Sequence, residues 1–130
     1  MATIFSKIVR GEIPCYKIAE DESYLAFLDI NPLAKGHTLV IPKKENDYIF
    51  DLDDQTYTGL HLFAKKVAKA IDKAIKCKRV AVAVLGLEVP HTHIHLIPMN
   101  DLSATDFTKP KLQLAKEEFE EIAGKIKSHL

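Results

Sequence analysis

"KRVAVAVLGL", residues 78–87, runs into "EVPHTHIHLIP", residues 88–98, where three histidines stand at every second position between two prolines. The first stretch is rich in Val and Ala and reads as a buried strand, and residues 90–98 read as the strand beside it. Strand side chains alternate faces, so His91, His93 and His95 are expected on one side and Thr92, Ile94 and Leu96 on the other. The apolar side packs, and the histidine side is left for something other than packing.

Outward from this pair the pattern changes period several times. "IFSKIVRGEIP" (4–14) sets Ile4, Phe5, Ile8 and Val9 on one helical face before Gly11, as in a short helix lying on the domain like a lid. "CYKIAE" (15–20) and "SYLAFLDI" (23–30) read as a hairpin turning at Asp21-Glu22. "NPLAKG" (31–36) is a loop, and "HTLVIP" (37–42) is a strand that His37 opens and Pro42 ends. From Asp54 to Lys76, Leu60, Phe63, Val67, Ile71, Ala74 and Ile75 keep helical spacing, with Asp53 or Asp54 able to cap the start. Beyond Pro110, Leu112, Ala115, Phe119, Ile122 and Ile126 predict a C-terminal helix over about 110–128, its glutamates forming a solvated face. Strands grouped around one long helix, with short returns, indicate an antiparallel α+β fold.

The chain has 130 residues, the size of one domain spanning 1–130, with 47% hydrophobic and 28% charged residues. Eighteen basic and eighteen acidic residues cancel, so the charge footprint of a nucleic-acid or anionic-membrane binder is missing. Cys15 and Cys77 have neither metal-motif spacing nor the density of a disulfide scaffold, which fits a reduced, cytoplasmic setting. "MATIFSKIVRGE" has no signal-peptide core, and "VAVAVLGL" is too short to span a bilayer.

The histidine row admits three readings. As core filling it is expensive, because each buried ring needs hydrogen-bond partners and a buried positive charge costs several kcal/mol. As a metal site it has the right ligands, but positions two apart lie ~6.6 to 7 Å apart along a strand and the row spans ~13 Å, so adjacent pairs could chelate one ion and all three would need a distorted strand. As a nucleophilic centre, a neutral imidazole nitrogen attacks phosphorus while its neighbours donate to phosphate oxygens and a backbone carbonyl holds its other nitrogen.

"HTHIHLI" resembles the His-x-His-x-His-x-x signature of the histidine triad (HIT) family, and "FLDINPLAKGHTLVIPKK" resembles the block that precedes it there. The opening "IFSKIVRGEIP" is also similar, so the resemblance covers about residues 3–98. It implies five antiparallel strands per subunit, with the sheet continued across a homodimer, and a nucleotide hydrolase of the Hint-like branch. Such an enzyme cleaves nucleoside 5′-phosphoramidates or related nucleoside monophosphate conjugates through a nucleotidyl-histidine, without a cofactor. Dinucleoside polyphosphates are the alternative substrates, and a nucleotide-binding interaction protein with weakened catalysis is the alternative role.

By position in the motif His93 resembles the nucleophile, and His91, His95 and His37 its phosphate-binding and orienting partners. Asp29 resembles the carboxylate that accepts ribose hydroxyls. Ile4, Phe5, Ile8, Phe27, Ile30 and Val89 resemble the apolar walls around a purine. Each of these also has a plain reading, as core residues or, for Asp29, a turn.

Three departures stand out. Similar proteins carry Gly-Gln-Ser or Gly-Gln-Thr before the triad, where this chain has Gly86, Leu87 and Glu88; an Asn expected near Val80 is also missing. Glu88 is thereby a candidate acid toward an amine leaving group, or a solvated carboxylate at a strand end. Many bacterial members also hold a structural zinc through an N-terminal Cys-x-x-Cys and a later histidine. The corresponding positions here are Thr3, Ser6 and Glu45, so no structural zinc is expected.

Overall fold

The computed structural model describes residues 2–130. Its α+β architecture is built on one five-stranded antiparallel sheet, as the strand and helix spacing predicts. Strand β1 (Lys17–Glu20) and strand β2 (Tyr24–Leu28) form the expected hairpin. The Asp21 carboxylate makes its turn by accepting the N–H groups of Ser23 and Tyr24, both at 2.8 Å. With β3 (Thr38–Pro42), β4 (Arg79–Ala83) and β5 (Ile94–Met99), the spatial order is β1-β2-β3-β5-β4. The histidine-bearing strand is therefore interior, between β3 and β4.

Alternation along these strands divides the core in two. Ile18, Ala26, Leu28, Val40, Ile94 and Leu96 face helix α2 (Asp54–Ala74) and helix α3 (Lys116–Lys127). α2 supplies Leu60, Phe63, Val67 and Ile71 at three- and four-residue intervals, and α3 supplies Phe119, Ile122 and Ile126. The start of α2 is set by the Asp53 carboxylate, which accepts the Thr56 N–H at 2.8 Å. On the opposite face Leu25, Phe27, Leu39 and Ile41 pack with Phe5 of the short helix α1 (Ile4–Val9). The left-handed Gly11, φ 78°, ends α1 close by, as expected.

Three expectations need correction. β5 begins at Ile94, so of the three histidines only His95 belongs to the sheet, paired with Leu39 and Ala83. His91 and His93 precede it in a non-ladder segment held by its own contacts, among them Thr92 N–H to the Asn46 carbonyl at 2.6 Å. The run 78–87 forms a short strand that is half exposed, because β4 is the sheet's edge, and Val82 keeps 62% of its surface open. The last helix begins at Lys116, six residues after Pro110. Residues 106–115 form instead an irregular strap, from which the Leu112 N–H reaches the Pro32 carbonyl at 2.8 Å. Periodicity misplaced this boundary because Leu112 and Ala115 happen to continue the helix's spacing.

Candidate active site

The two elements that flank the site converge because of their registers. β3 and β5 pair Leu39 with His95, which puts the His95 ring on the face shared with Phe27 and α1. His37 enters from the loop before β3. Gly36, at φ 95°, turns the chain there, and a Cβ would lie 3.0 Å from Ile75 and 3.3 Å from Pro98, so both the backbone angle and the space require glycine.

The proton positions on the four imidazoles follow from partners whose roles are fixed, since a peptide N–H only donates and a carbonyl only accepts. The Leu33 N–H donates to His37 Nδ1 at 3.0 Å, so the His37 proton sits on Nε2 and is given to His95 Nδ1 at 2.9 Å. The remaining His95 nitrogen, Nε2, is then an N–H donor. His93 has the opposite polarity: its Nδ1–H donates to the His91 carbonyl at 2.7 Å, which leaves Nε2 with a free lone pair. The rings of His93 and His95 stand edge to face with centroids 4.9 Å apart. Thus one nucleophilic nitrogen and one hydrogen-bond donor are held side by side.

Burial supports neutral rings. It pushes His37 down to about 3 and His95 to about 4, with the neighbouring imidazoles adding to the effect. Asp29 Oδ2 lies 3.5 Å from His37 Nε2, but the shorter contact to His95 takes that proton and a neutral His37 makes no ion pair. Burial raises the Asp29 carboxyl above its usual range, opposed chiefly by the Asn31 N–H bond at 2.9 Å.

Asp29, His37 and His95 offer donor atoms within 4.8 Å of one another, the one group of such geometry among the described residues. Their hydrogen bonding does not suit a cation. A metal on His37 Nε2 would move the ring proton to Nδ1, against the Leu33 N–H that points there.

These groups open into a cavity of about 430 Å³. Ile4, Phe5, Ile8, Phe27, Asp29, Ile30, His37, Glu88, Val89, His93 and His95 all line it, so every candidate residue but one meets in one place. Ile4 and Ile30 are 48% and 60% exposed rather than core residues, as cavity walls awaiting a ligand would be. His91 is the exception. It is fully buried behind the cavity, its Nε2–H on the Pro42 carbonyl at 2.8 Å and its Nδ1 3.0 Å from the Thr3 hydroxyl. Both ring nitrogens are engaged, so none is left for phosphate.

Other lining residues were not singled out by the sequence. Phe107, in the strap after β5, lays its ring against His95 and His37 at 4.8 and 6.3 Å between centroids. Lys111 of the same strap lines the cavity and bonds the Phe107 and Lys109 carbonyls at 2.6 and 3.1 Å. The segment "LSATDFTKPK" carries no periodicity, so nothing in it signals a return to the histidines. Leu85, Gly86 and Leu87 form the facing wall, with Leu87 93% exposed. A second hollow beyond them is lined by Tyr48, Phe50, Tyr57 and His61, and it also reaches His93.

Comparison with known proteins places this geometry. Residues 10–102 match the model of the HIT domain. The chain is similar to adenosine 5′-monophosphoramidase hnt1 of Schizosaccharomyces pombe, 39% identical over 133 residues, covering 98% of this chain and 100% of that protein. Among solved structures it resembles a Hit-like protein involved in cell-cycle regulation from Bartonella henselae, with TM-score 0.86, 35% identity, and 98% and 96% of the two chains covered. It also resembles a Zn-bound histidine triad family protein from Mycobacterium smegmatis, with TM-score 0.82, 27% identity, and 99% and 93% covered. With a family match over most of its length and a relative of this identity over nearly all of it, the chain belongs to the HIT domain family.

Proposed function

We propose that this protein hydrolyses nucleoside 5′-phosphoramidates, or related conjugates of a nucleoside monophosphate, through a nucleotidyl-His93 intermediate. The observation that carries this reading is the opposed polarity of the two adjacent rings. The lone pair on His93 Nε2 attacks the α-phosphorus as the phosphorus–nitrogen bond breaks, and the His95 Nε2–H donates to a non-bridging phosphate oxygen, stabilising the negative charge it bears in the transition state. The departing amine takes a proton, for which Glu88 on the cavity rim is the candidate donor. Water then attacks phosphorus and gives its proton to the Glu88 carboxylate left by the first step, and His93 leaves with its lone pair restored.

The rest of the cavity suits the nucleoside. Asp29 accepts the two vicinal ribose hydroxyls, and Ile4, Phe5, Ile8, Phe27, Ile30 and Val89 form an apolar slot for a purine face. The similarity to a named adenosine 5′-monophosphoramidase supports this substrate class. No described helix is long and apolar enough to cross a membrane.

Steady-state hydrolysis of adenosine 5′-phosphoramidate beside a diadenosine polyphosphate tests the assignment. The phosphoramidate is expected to turn over faster. The reverse order would move the assignment to dinucleoside polyphosphates, and AMP binding without turnover of either would make the protein a nucleotide binder. The second outcome has a specific motive: Leu87 and Glu88 replace an amide and a hydroxyl that would hold phosphate and leaving group.

The half-exposed edge strand β4 supports a homodimer with the sheet continued across it. Val82 on β4 and Leu62 on α2 are both more than half exposed, a cost that a second copy would remove. Val82→Asp is expected to lower the sedimentation coefficient from that of a dimer to that of a monomer. A wild-type protein sedimenting as a monomer at micromolar concentration would rule the dimer out.

A further inference from the structure

Thr3, Ser6 and Glu45, at the positions where the family resemblance implies a zinc set in many bacterial members, are brought together beside His91. The Thr3 N–H donates to Ser6 Oγ at 2.7 Å and to Glu45 Oε1 at 3.1 Å. The Ser6 N–H donates to Thr3 Oγ1 at 3.0 Å, closing the capping box of α1. The Ser6 hydroxyl is given to Glu45, and the Thr3 hydroxyl lies 3.0 Å from His91 Nδ1. Two neutral hydroxyls are poor substitutes for thiolates, so this set does not fit zinc.

As a hydrogen-bond network, however, the set has a definite direction. His91 Nε2 faces the Pro42 carbonyl and must carry the ring proton, so Nδ1 needs a donor. Thr3 has one hydroxyl proton to give. Ionised Glu45 accepts only, so the Ser6 proton goes to Glu45; Ser6 Oγ, 3.1 Å from Thr3 Oγ1, already accepts the Thr3 N–H, whereas His91 Nδ1 has Thr3 as its one donor and takes the Thr3 hydroxyl proton. Ser6 and Glu45 thus hold Thr3, Thr3 holds the His91 ring, and the His91 carbonyl holds the His93 Nδ1–H at 2.7 Å.

We infer that Thr3, anchored by Ser6 and Glu45, is a positioning residue that replaces a metal in fixing the His91 ring and, through the His91 carbonyl, the proton and orientation of His93. Thr3 also caps α1, whose Phe5 ring touches both His91 and His93 at 5.9 and 5.0 Å between centroids. The wall of the nucleotide cavity and the nucleophile are therefore tied to the same side chain. The inference rests on the reading of His93 as nucleophile.

The test compares Thr3→Val with Thr3→Ser in the full chain, reading imidazole ¹⁵N spectra, turnover of adenosine 5′-phosphoramidate and thermal unfolding. In Thr3→Val the Nδ1-protonated form of His93 is expected to give way to a mixture, with kcat down about tenfold or more and KM little changed. Thr3→Ser keeps the hydroxyl and should restore both. A Thr3→Val protein that melts earlier but keeps the wild-type His93 spectrum and kcat would overturn the inference, since a purely structural cap predicts that result. If Thr3→Val does not fold, Glu45→Gln, at an exposed carboxylate, replaces it. The His91 Nδ1 resonance should then move, and an unchanged spectrum and kcat would overturn the inference. Should the wild type turn over neither nucleotide, the proposed function fails while the ring spectra still decide the network's role.

Discussion

Replacing His93 with alanine is expected to lower turnover of a nucleoside phosphoramidate by roughly 10⁴-fold or more, as removal of a catalytic nucleophile does elsewhere. AMP binding should persist, because the apolar walls and Asp29 belong to other elements. The expectation follows from geometry: among the four clustered imidazoles, His93 alone has a ring nitrogen whose lone pair is free, since its Nδ1 is committed to the His91 carbonyl. The same intermediate fixes the stereochemistry. Two in-line displacements return phosphorus to its original configuration, so a substrate chiral at phosphorus should give retention. Net inversion, or a His93→Ala protein with near wild-type turnover, would exclude the covalent route. His95→Ala should be the milder lesion of the two, because a donor to phosphate oxygen typically contributes about 10²–10³-fold.

Much of this site was legible in the sequence for a physical reason. A two-residue period and a 3.6-residue period are properties of side chains, and both survive in the string of letters. They identified the hairpin around Asp21, the long helix from Asp54 and the histidine row, and the resemblance of "FLDINPLAKGHTLVIPKK" and "HTHIHLI" to the HIT family brought Asp29 and His37 to the same place. The chemistry of the row was not legible, because backbone groups decide it. The Leu33 N–H and the carbonyls of Pro42 and His91 set which nitrogen of each ring carries a proton, and any residue could have supplied the carbonyls and any but proline the N–H.

The strand boundary shows the same limit. Alternation placed His91, His93 and His95 on one strand, whereas the ladder begins at Ile94 and the preceding residues are fixed by Asn46, Pro42 and Thr3. The departure at Leu87 and Glu88 was visible, whereas the strap carrying Phe107 and Lys111, which lines the same cavity, was not. That strap reaches the cavity through tertiary packing without any pattern of its own.

The neutral histidines also predict a steep loss of stability in mild acid. His37 and His95 are held at about 3 and 4 in the folded protein, against about 6.5 in the unfolded chain. Between those values the unfolded state binds protons that the folded state refuses, so stability is full above pH 6.5 and falls as the pH drops below it. For the two rings together the loss between pH 7 and pH 5 is about 3–4 kcal/mol. His91, also lowered by burial, acts in the same direction. Asp29 acts in the opposite one: its raised carboxyl binds a proton in the folded state before the unfolded chain does, which softens the loss at the acid end of this window. Urea unfolding at pH 7 and pH 5, at fixed protein concentration, measures the difference directly. A stability that changes by less than about 1 kcal/mol between the two would mean that the rings accept protons where they stand. The directional chain from Leu33 through His37 to His95 would then be broken, because a protonated His95 no longer accepts at Nδ1.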